Sequence, residues 1–338
     1  MARVGRSLLR GSLLTAGAVL LLLLFSLLHT VFLSPAGSGS GITVVRIEPG
    51  SDLGSIGTAL HKEGVIDNTR TFLWTARAAG LERKLRSGDY ELDPSWNLPR
   101  LLEVLSSGRS RMLSVTFPEG TTVEGVAERL SAAGVTDGQA FLALARDRDF
   151  LGPLGIPGPT AEGFLFPETY LFASSSKPAD VMKVMADQFR KVLAELELEA
   201  PLGRRDLLDT VTLASIVEKE TSMPEERPLV AAVFLNRLRK GYRLQSDPTV
   251  IYGLENFDGN ITRRDLETET PYNTYVIRGL PPGPIANPGR GALWAVLNPA
   301  QVDYLYFVSR NDGSHHFSLT LKEHNRAVRL YQLARRKQ

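Results

Sequence analysis

Hydrophobic positions recur with a helical period over most of the chain, and short alternating segments separate the predicted helices. The pattern occurs twice, about 70 residues apart. Each copy begins with an alternating, strand-like stretch, Thr43 to Ile47 and Met112 to Phe117, and continues with an amphipathic helix and a second helix. In the first copy, Gly88 to Leu92 adds a strand, which predicts a compact two-layer module in the order strand, helix, helix, strand.

The two copies correspond in their turns as well as in their helices. Gly50 matches Gly120, and Gly64 matches Gly134, so glycines end the same segments in both copies. The second copy then runs into a stretch rich in glycine and proline, from Gly152 to Pro159, and does not close as neatly as the first.

An acidic residue lies on the apolar face of a later predicted helix. At 100° per residue, Leu207, Val211 and Ala214 form one stripe, and Glu218 falls on the same stripe. A carboxyl group in apolar surroundings has a raised pKa and can keep a proton near neutral pH, as a general acid must. The alternative is a helix-end carboxylate that pairs with a nearby Arg or Lys, and the spacing leaves both interpretations open.

The N-terminus has the pattern of a membrane anchor. Arg3, Arg6 and Arg10 precede residues 11–33, which contain no Asp, Glu, Lys or Arg. A helix of this length crosses about 30 Å of hydrocarbon, whereas the apolar core of a signal peptide has only about 7–15 residues. The arginines predict a cytoplasmic N-terminus, so we expect a single-pass protein of the cell (inner) membrane with its remaining residues outside. A signal-peptide cleavage site within residues 34–39 is the alternative.

These patterns together predict an α+β protein with several parts. They are a cytoplasmic tip (1–10), a transmembrane helix (11–33), a Gly/Ser linker (34–41), a βααβ module (42–110), a second, related module (111–200) and a C-terminal α+β catalytic domain (201–338). In the last part, Ser222 to Glu225 has a capping-box pattern, which predicts a helix that starts there. Tyr304 to Ser309 and His316 to Ser318 are predicted to pair as strands before a terminal helix, Leu321 to Arg335.

Composition removes several classes of function. The chain has 39 basic and 37 acidic residues and a net charge of +2, so nucleic acid is not an expected partner. It has no cysteine, which excludes thiolate nucleophiles and Cys-ligated zinc. The histidines near the C-terminus match no standard zinc spacing, and no glycine-rich nucleotide loop is present, so we expect no metal and no cofactor. Ser215 and Lys219 stand four apart on one helix, which leaves a Ser–Lys dyad geometrically open.

Carbohydrate chemistry fits the C-terminal residues better. Seven of the nine tyrosines lie between Tyr242 and Tyr331, among asparagine and glutamine side chains. Aromatic faces and amides suit sugar rings, although such aromatics also fill small β cores, and both interpretations stand. Hydrolysis of a glycosidic bond usually needs two carboxylates about 5–10 Å apart, but Glu218 and Glu220 point about 200° apart on a helix. A mechanism with a single carboxylate is therefore expected.

Four runs of residues stand in the order typical of one family. They are Ala214 to Thr221 (ASIVEKET), Arg243 to Gly253 (RLQSDPTVIYG), Tyr272 to Tyr275 (YNTY) and Gly279 to Gly289 (GLPPGPIANPG). With these motifs the chain resembles the MltG/YceG family of endolytic murein transglycosylases. The resemblance covers nearly everything after the predicted anchor. It is weakest in the first module, which resembles the family's LysM-like module mainly in element order.

This resemblance implies a membrane-anchored enzyme that cuts nascent peptidoglycan strands internally without water. Such cleavage leaves 1,6-anhydro-N-acetylmuramic acid ends and terminates strand elongation, with peptidoglycan synthases (penicillin-binding proteins) as candidate partners. The family's catalytic glutamate falls on Glu218. The resemblance also gives candidates that line the groove, namely Gln245, Asp247, Tyr252, Asn273 and Asn287.

Some alternatives stay open from the sequence. Glu220 competes with Glu218 for the role of the acid, and Glu162 is a candidate outlying partner. A non-catalytic, membrane-anchored scaffold that binds the cell wall is a second function class, and a membrane-tethered Ser–Lys peptidase is a third.

Overall fold

The computed structural model describes residues 17, 19–22, 25–26, 28–48, 50–108, 111–199 and 206–333. The chain forms two compact units. The N-terminal unit comprises residues 1–113 and 171–176, and the C-terminal unit comprises residues 114–170 and 177–338.

The N-terminal unit contains the predicted strand-helix-helix-strand module, followed by one more helix. Its elements are β1 (Thr43–Ile47), α1 (Leu53–Lys62), α2 (Thr69–Ala78), β2 (Gly88–Leu92) and α3 (Leu98–Ser107). Strands β1 and β2 pair antiparallel, with Thr43 opposite Leu92 and Ile47 opposite Gly88. The alternating side chains Val45, Ile47, Tyr90 and Leu92 are buried against the apolar faces of the helices, which forms the core of this unit.

The second copy of the pattern and the C-terminal segment supply the remaining elements. They are β3 (Met112–Thr116), α4 (Val123–Ala132), α5 (Gly138–Leu144), α6 (Arg148–Leu151), β4 (Thr169–Ala173), α7 (Pro178–Glu199), α8 (Leu207–Glu220), α9 (Arg227–Arg239), α10 (Asp247–Gly253), α11 (Arg263–Glu267), α12 (Arg290–Leu297), β5 (Tyr306–Ser309), β6 (His315–Ser318) and α13 (Leu321–Val328). Short 3₁₀ turns occupy Gly152–Leu154 and Pro224–Glu226, and a π-helical turn, Arg329–Leu333, follows α13. Strand β3 pairs with β4, and β5 pairs antiparallel with β6.

In the structure, the two copies of the repeat have corresponding helix caps and glycines. Asp52 and Thr122 cap the first helix of each copy by accepting a backbone N–H three residues later. The same helices end at Gly64 and Gly134, whose φ angles of 71° and 72° are readily adopted only by glycine. Strand β4 also closes the second copy after an insertion, so both copies have a two-stranded sheet.

One predicted helix start is wrong. The pattern at Ser222 predicts a capping box, but Pro224–Glu226 forms a 3₁₀ turn without a side-chain cap, and α9 begins at Arg227. The competing contact comes from Thr221, whose Oγ1 accepts the Met223 N–H at 3.1 Å.

Helix α8 is the central helix of the C-terminal unit. All side chains from Thr210 to Val217 are buried, which confirms that little of this helix faces water. Helices α9 and α12 pack against it. Because α8 ends at Glu220, the acidic residues Glu218 and Glu220 lie in its last turn, at the edge of the apolar core.

Part of the predicted anchor, residues 11–33, lies outside the described residues. Among the residues that the structure describes, no helix is long and apolar enough to cross a membrane. The division of residues 111–338 into a second module and a catalytic domain stays a prediction.

Candidate active site

Glu218 lies in the last turn of α8, and both of its carboxylate oxygens are held. Arg227 Nη2 donates to Oε1 at 3.0 Å, and the Gly289 N–H donates to Oε2 at 3.0 Å. Only 6% of the Glu218 side chain is exposed, compared with 12% for Arg227. The ion-pair interpretation of the sequence is therefore correct, and so is the expectation of a largely buried carboxyl group.

Close approach of three chain segments fixes this arrangement. Gly289 is the N-cap residue of α12, so its N–H belongs to a helix N-terminus, where a negative charge is favoured. A Cβ atom at Gly289 would lie 1.8 Å from the Glu119 carboxylate, so a larger residue there would require the Glu119 side chain to move. Glu119 also accepts from Arg227 Nη2 at 3.1 Å, so one guanidinium group holds two carboxylates.

Two opposing effects set the pKa of Glu218. Burial raises the pKa and is the largest effect, whereas the Gly289 N–H and Arg227 lower it. The net direction is upward, so Glu218 keeps its proton to a higher pH than a glutamate in water. The same donors stabilise the carboxylate once the proton has left, which suits a group that must both give and take a proton.

An open cleft of about 470 Å³ gives access to Glu218. Glu119, Gly120, Glu218, Lys219, Glu220, Thr221, Ser222 and Arg227 line it. Glu220 therefore borders the same cleft as Glu218, although the two carboxylates leave α8 in different directions. Ser246 Oγ donates to Glu220 Oε1, and burial raises the pKa of Glu220 to about 7.

Glu162 lies in the interior, at a junction of loops. Its oxygens accept the Val123 N–H at 3.1–3.2 Å, Asn287 Nδ2 at 3.3 Å and the Tyr252 hydroxyl at 3.3 Å. Burial is the largest effect on this carboxyl group and raises its pKa to about 8. Only 1% of Glu162 is exposed, so its contacts join α4 and α10 to the loop before α12.

The two asparagine candidates are buried and bonded to the backbone. Asn287 Nδ2 donates to the Thr121 carbonyl at 2.9 Å, and its Oδ1 accepts the Leu165 N–H at 2.9 Å. Asn273 Nδ2 faces the carbonyls of Asp265, Leu266 and Thr268 at 2.7–3.2 Å. These amides hold the loops that border the site.

The remaining groove candidates fall into two places. Tyr252 is half-buried, bonds to Glu162 and packs edge to face on Tyr272 at 4.8 Å between ring centroids. Gln245 and Asp247 are exposed and lie together in a second pocket, which Glu220 also lines. The structure thus groups Gln245 and Asp247 with Glu220, and Tyr252 with Glu162.

Ser215 does not have the surroundings of a nucleophile. It is fully buried, its Oγ donates to the Thr212 carbonyl at 2.7 Å, and it accepts the Ile285 N–H at 3.0 Å. Lys219 Nζ points to the Gly120 carbonyl at 3.4 Å. A hydroxyl so placed stabilises the loop before α12 and is closed to substrate.

The C-terminal histidines are also placed by local contacts. His315 Nδ1 lies 2.6 Å from Glu226, and the His324 ring stacks on Tyr306. No group of metal-ligating side chains occurs among the described residues.

Sequence reasoning missed three groups around Glu218, namely Arg227, Glu119 and the Gly289 N–H. Gly289 is the last residue of a motif that the sequence analysis identifies, but its N–H has no role there. The sequence signal that could have identified Arg227 is the pair Glu226-Arg227, which follows Pro224 and has no role in the sequence analysis. Pairing over 71 residues, as between Glu218 and Gly289, leaves no periodic trace in the sequence.

The geometry places one largely buried carboxyl group, at the end of a buried helix, beside an open cleft. The matching family model, described as the YceG-like family, covers residues 45–330. The chain therefore belongs to the YceG-like family.

Named relatives and a solved structure agree with this membership. An endolytic murein transglycosylase from Bacillus subtilis is 31% identical, with 88% of each chain covered. One of the same name from Streptococcus pneumoniae is 29% identical over 84% of this chain and 57% of its own length. A crystal structure of a yceG-like protein from Listeria monocytogenes matches with a TM-score of 0.59 and 32% identity, over 86% of this chain and 100% of that chain.

Proposed function

We propose that this chain is an endolytic murein transglycosylase that cleaves peptidoglycan glycan strands without water, with Glu218 as its acid and base. The observation that carries the proposal is the carboxyl group of Glu218, buried by its helix, open to a cleft and held by Arg227 and the Gly289 N–H. The names of the relatives support the substrate class.

The reaction needs Glu218 to give one proton and then to take one back. Protonated Glu218 gives its proton to the glycosidic oxygen while the bond from that oxygen to C1 breaks. The C6 hydroxyl of the same sugar then attacks C1, and its proton returns to the Glu218 carboxylate. The products are a free strand end and a 1,6-anhydro-N-acetylmuramic acid end, with no water consumed and Glu218 restored.

Arg227 and Gly289 act when Glu218 is negatively charged. Both donate to its oxygens, so they stabilise the carboxylate that forms as the glycosidic oxygen is protonated. Removal of a single donor of this kind typically costs about 10²–10³ in rate. Burial raises the pKa of Glu218, whereas the two donors lower it. The balance leaves Glu218 able to give its proton and to take one back.

Two other function classes receive less support. A Ser–Lys peptidase needs an exposed serine, and Ser215 is buried with both roles of its hydroxyl occupied. A non-catalytic scaffold needs no proton donor, so it leaves the buried Glu218–Arg227 arrangement without a purpose.

The location and partners of the enzyme belong to the same proposal. Residues 11–33 anchor the chain in the membrane, because they are uncharged and follow three arginines. The site then lies outside the cytoplasm, where nascent glycan strands and the synthases that make them are found. The order strand, helix, helix, strand in the N-terminal unit supports the proposal that this unit contains a LysM-like module.

Digestion of purified glycan strands by the full-length chain tests the proposal. We expect anhydro-muramyl ends from the wild type and none from Glu218→Gln, with products identified by mass spectrometry. Glu225→Gln is the matched control, because it changes an exposed glutamate near the same cleft. Loss of cleavage in Glu220→Gln but not in Glu218→Gln would move the acid to Glu220.

A further inference from the structure

A second pocket adjoins the Glu218 cleft. It has a volume of about 270 Å³, and Glu220, Arg237, Leu244, Gln245, Asp247, Tyr275, Phe307 and His324 line it. Glu220 lines both cavities. The proton transfers attributed to Glu218 use none of its other residues.

One residue of the pocket, Gln245, has an energetically unfavourable backbone conformation. Gln245 has a φ of 52°, in the left-handed region that residues with side chains rarely adopt. Its N–H bonds to the Thr274 carbonyl at 3.1 Å, which keeps the strained residue in place. Strain of this kind persists where the surrounding structure enforces it, and it concentrates at ligand-binding sites.

The polar side chains that line the pocket differ in how fully they are hydrogen-bonded. Among the described residues, the buried Nδ1 of His324 has no hydrogen-bond partner. Asp247 is exposed, and its Oδ1 accepts the Tyr275 hydroxyl at 2.6 Å. Arg237 is fixed by the carbonyls of Leu244 and Leu305, both at 2.7 Å, so its positive charge stays at the wall.

The lining matches the three parts of an acetamido group. Carboxylate and amide oxygens of Asp247 and Gln245 can accept its N–H, and the Gln245 amide can donate to its carbonyl oxygen. Phe307 supplies an apolar wall for its methyl group. A pocket of about 270 Å³ has room for one sugar ring that carries an acetamido group, but not for a longer piece of glycan.

We propose that this pocket is a subsite that recognises the N-acetyl group of a sugar in the glycan strand that Glu218 cleaves. Gln245 and Asp247 are its specificity-determining residues, and Glu220 positions Ser246 beneath them. The inference rests on the proposed function, because it assigns the polymer that occupies the Glu218 cleft.

Binding of three β-1,4-linked tetrasaccharides to the full-length Glu218→Gln chain tests the subsite without any cleavage. The probes are the tetramers of N-acetylglucosamine, glucosamine and glucose, which differ only at C2. By calorimetry we expect the N-acetylated tetramer to bind about tenfold tighter than the other two, because only it pairs with the amide and the apolar wall. Tighter binding of the glucosamine tetramer would make the pocket a cation site and overturn the proposal.

Variants then locate the binding. In the same background, Gln245→Ala and the nearly isosteric Gln245→Glu should each weaken the N-acetylated tetramer about tenfold and remove its preference over glucose. Gln301→Ala, an exposed change elsewhere in the C-terminal unit, is the matched control and should change nothing. Equal unfolding midpoints show that the variants are folded.

The outcomes separate this inference from the proposed function. If the wild type leaves anhydro ends while Gln245→Ala keeps both affinity and preference, the subsite is wrong and the enzyme assignment stands. If the N-acetylated tetramer binds through Gln245 but no strand is cleaved, the subsite stands and the enzyme assignment fails.

Discussion

Replacing Arg227 by methionine removes the cation that holds Glu218 and leaves a side chain of similar length. The Nη2–Oε1 distance is 3.0 Å, and at an effective dielectric constant of about 20 Coulomb's law gives about 5.5 kcal/mol for the pair. The net loss is smaller, because removal of Arg227 also relieves its desolvation and Glu218 can take up a proton. We expect the free energy of unfolding to fall by about 3–5 kcal/mol at alkaline pH.

The pH dependence of this loss is what makes the prediction specific. Arg227 lowers the pKa of Glu218, so the variant carboxyl group holds its proton more tightly. The destabilisation should therefore be large where Glu218 is charged in the wild type and should shrink as the pH falls. Urea unfolding across the pH range measures it.

Activity should change in a linked way. Without Arg227 the carboxylate formed during proton transfer is less stable, so kcat should fall about a hundredfold, and the alkaline limb of the pH–rate profile should move upward. Glu119→Gln is the opposing control, because the Glu119 charge raises the pKa of Glu218 and its loss should move that limb downward. An unchanged unfolding curve and pH profile in Arg227→Met would show that Arg227 does not stabilise the Glu218 carboxylate.

Three further predictions concern buried polar groups. Burial raises the pKa of Glu162 from 4.5 to about 8, so the unfolded chain loses this proton first as the pH rises, and stability falls by up to about 1.4 kcal/mol per pH unit between those values. Glu162→Gln should flatten that slope in urea unfolding, and an equally steep slope in the variant would contradict the assignment. Asn287→Ala should lower the unfolding free energy by about 3 kcal/mol, because the Leu165 N–H and Glu162 each lose a partner, as thermal unfolding would reveal. Ser215→Ala should cost about 1–2 kcal/mol, since the Ile285 N–H is left unpaired, and yet keep strand cleavage, whereas loss of cleavage in a folded variant would favour a serine nucleophile.

Much of the fold could be predicted because local signals agree with it. Helix α8 is apolar on nearly every side, and the two copies of the repeat carry the same caps and glycines in their turns. Strand β4 was not predicted, because exposed Leu171 obscures the alternation of its buried Tyr170 and Phe172. Helix α12 was missed as well, since it has only 8 residues and contains Gly291.

The sequence predicts Glu218 as the candidate acid, but it does not predict the groups that surround Glu218. The position of Glu218 on an apolar stripe follows from helical periodicity within one element. The contacts that hold it come from Gly289 and Arg227, and the first of these depends on how distant segments pack. The burial of Asn273 and Asn287 follows from loop packing in the same way, because an amide that joins loops and an amide that binds sugar look alike in a sequence.

If Glu218 cleaves the glycan by proton transfer alone, no oxygen from water enters the product. Digestion of glycan strands by the full-length chain in water enriched in heavy oxygen, followed by mass spectrometry of the new ends, measures this incorporation. We expect anhydro ends without heavy oxygen from the wild type and no new ends from Glu218→Gln. Reducing ends that carry heavy oxygen, or anhydro ends that persist in Glu218→Gln, would rule out this mechanism.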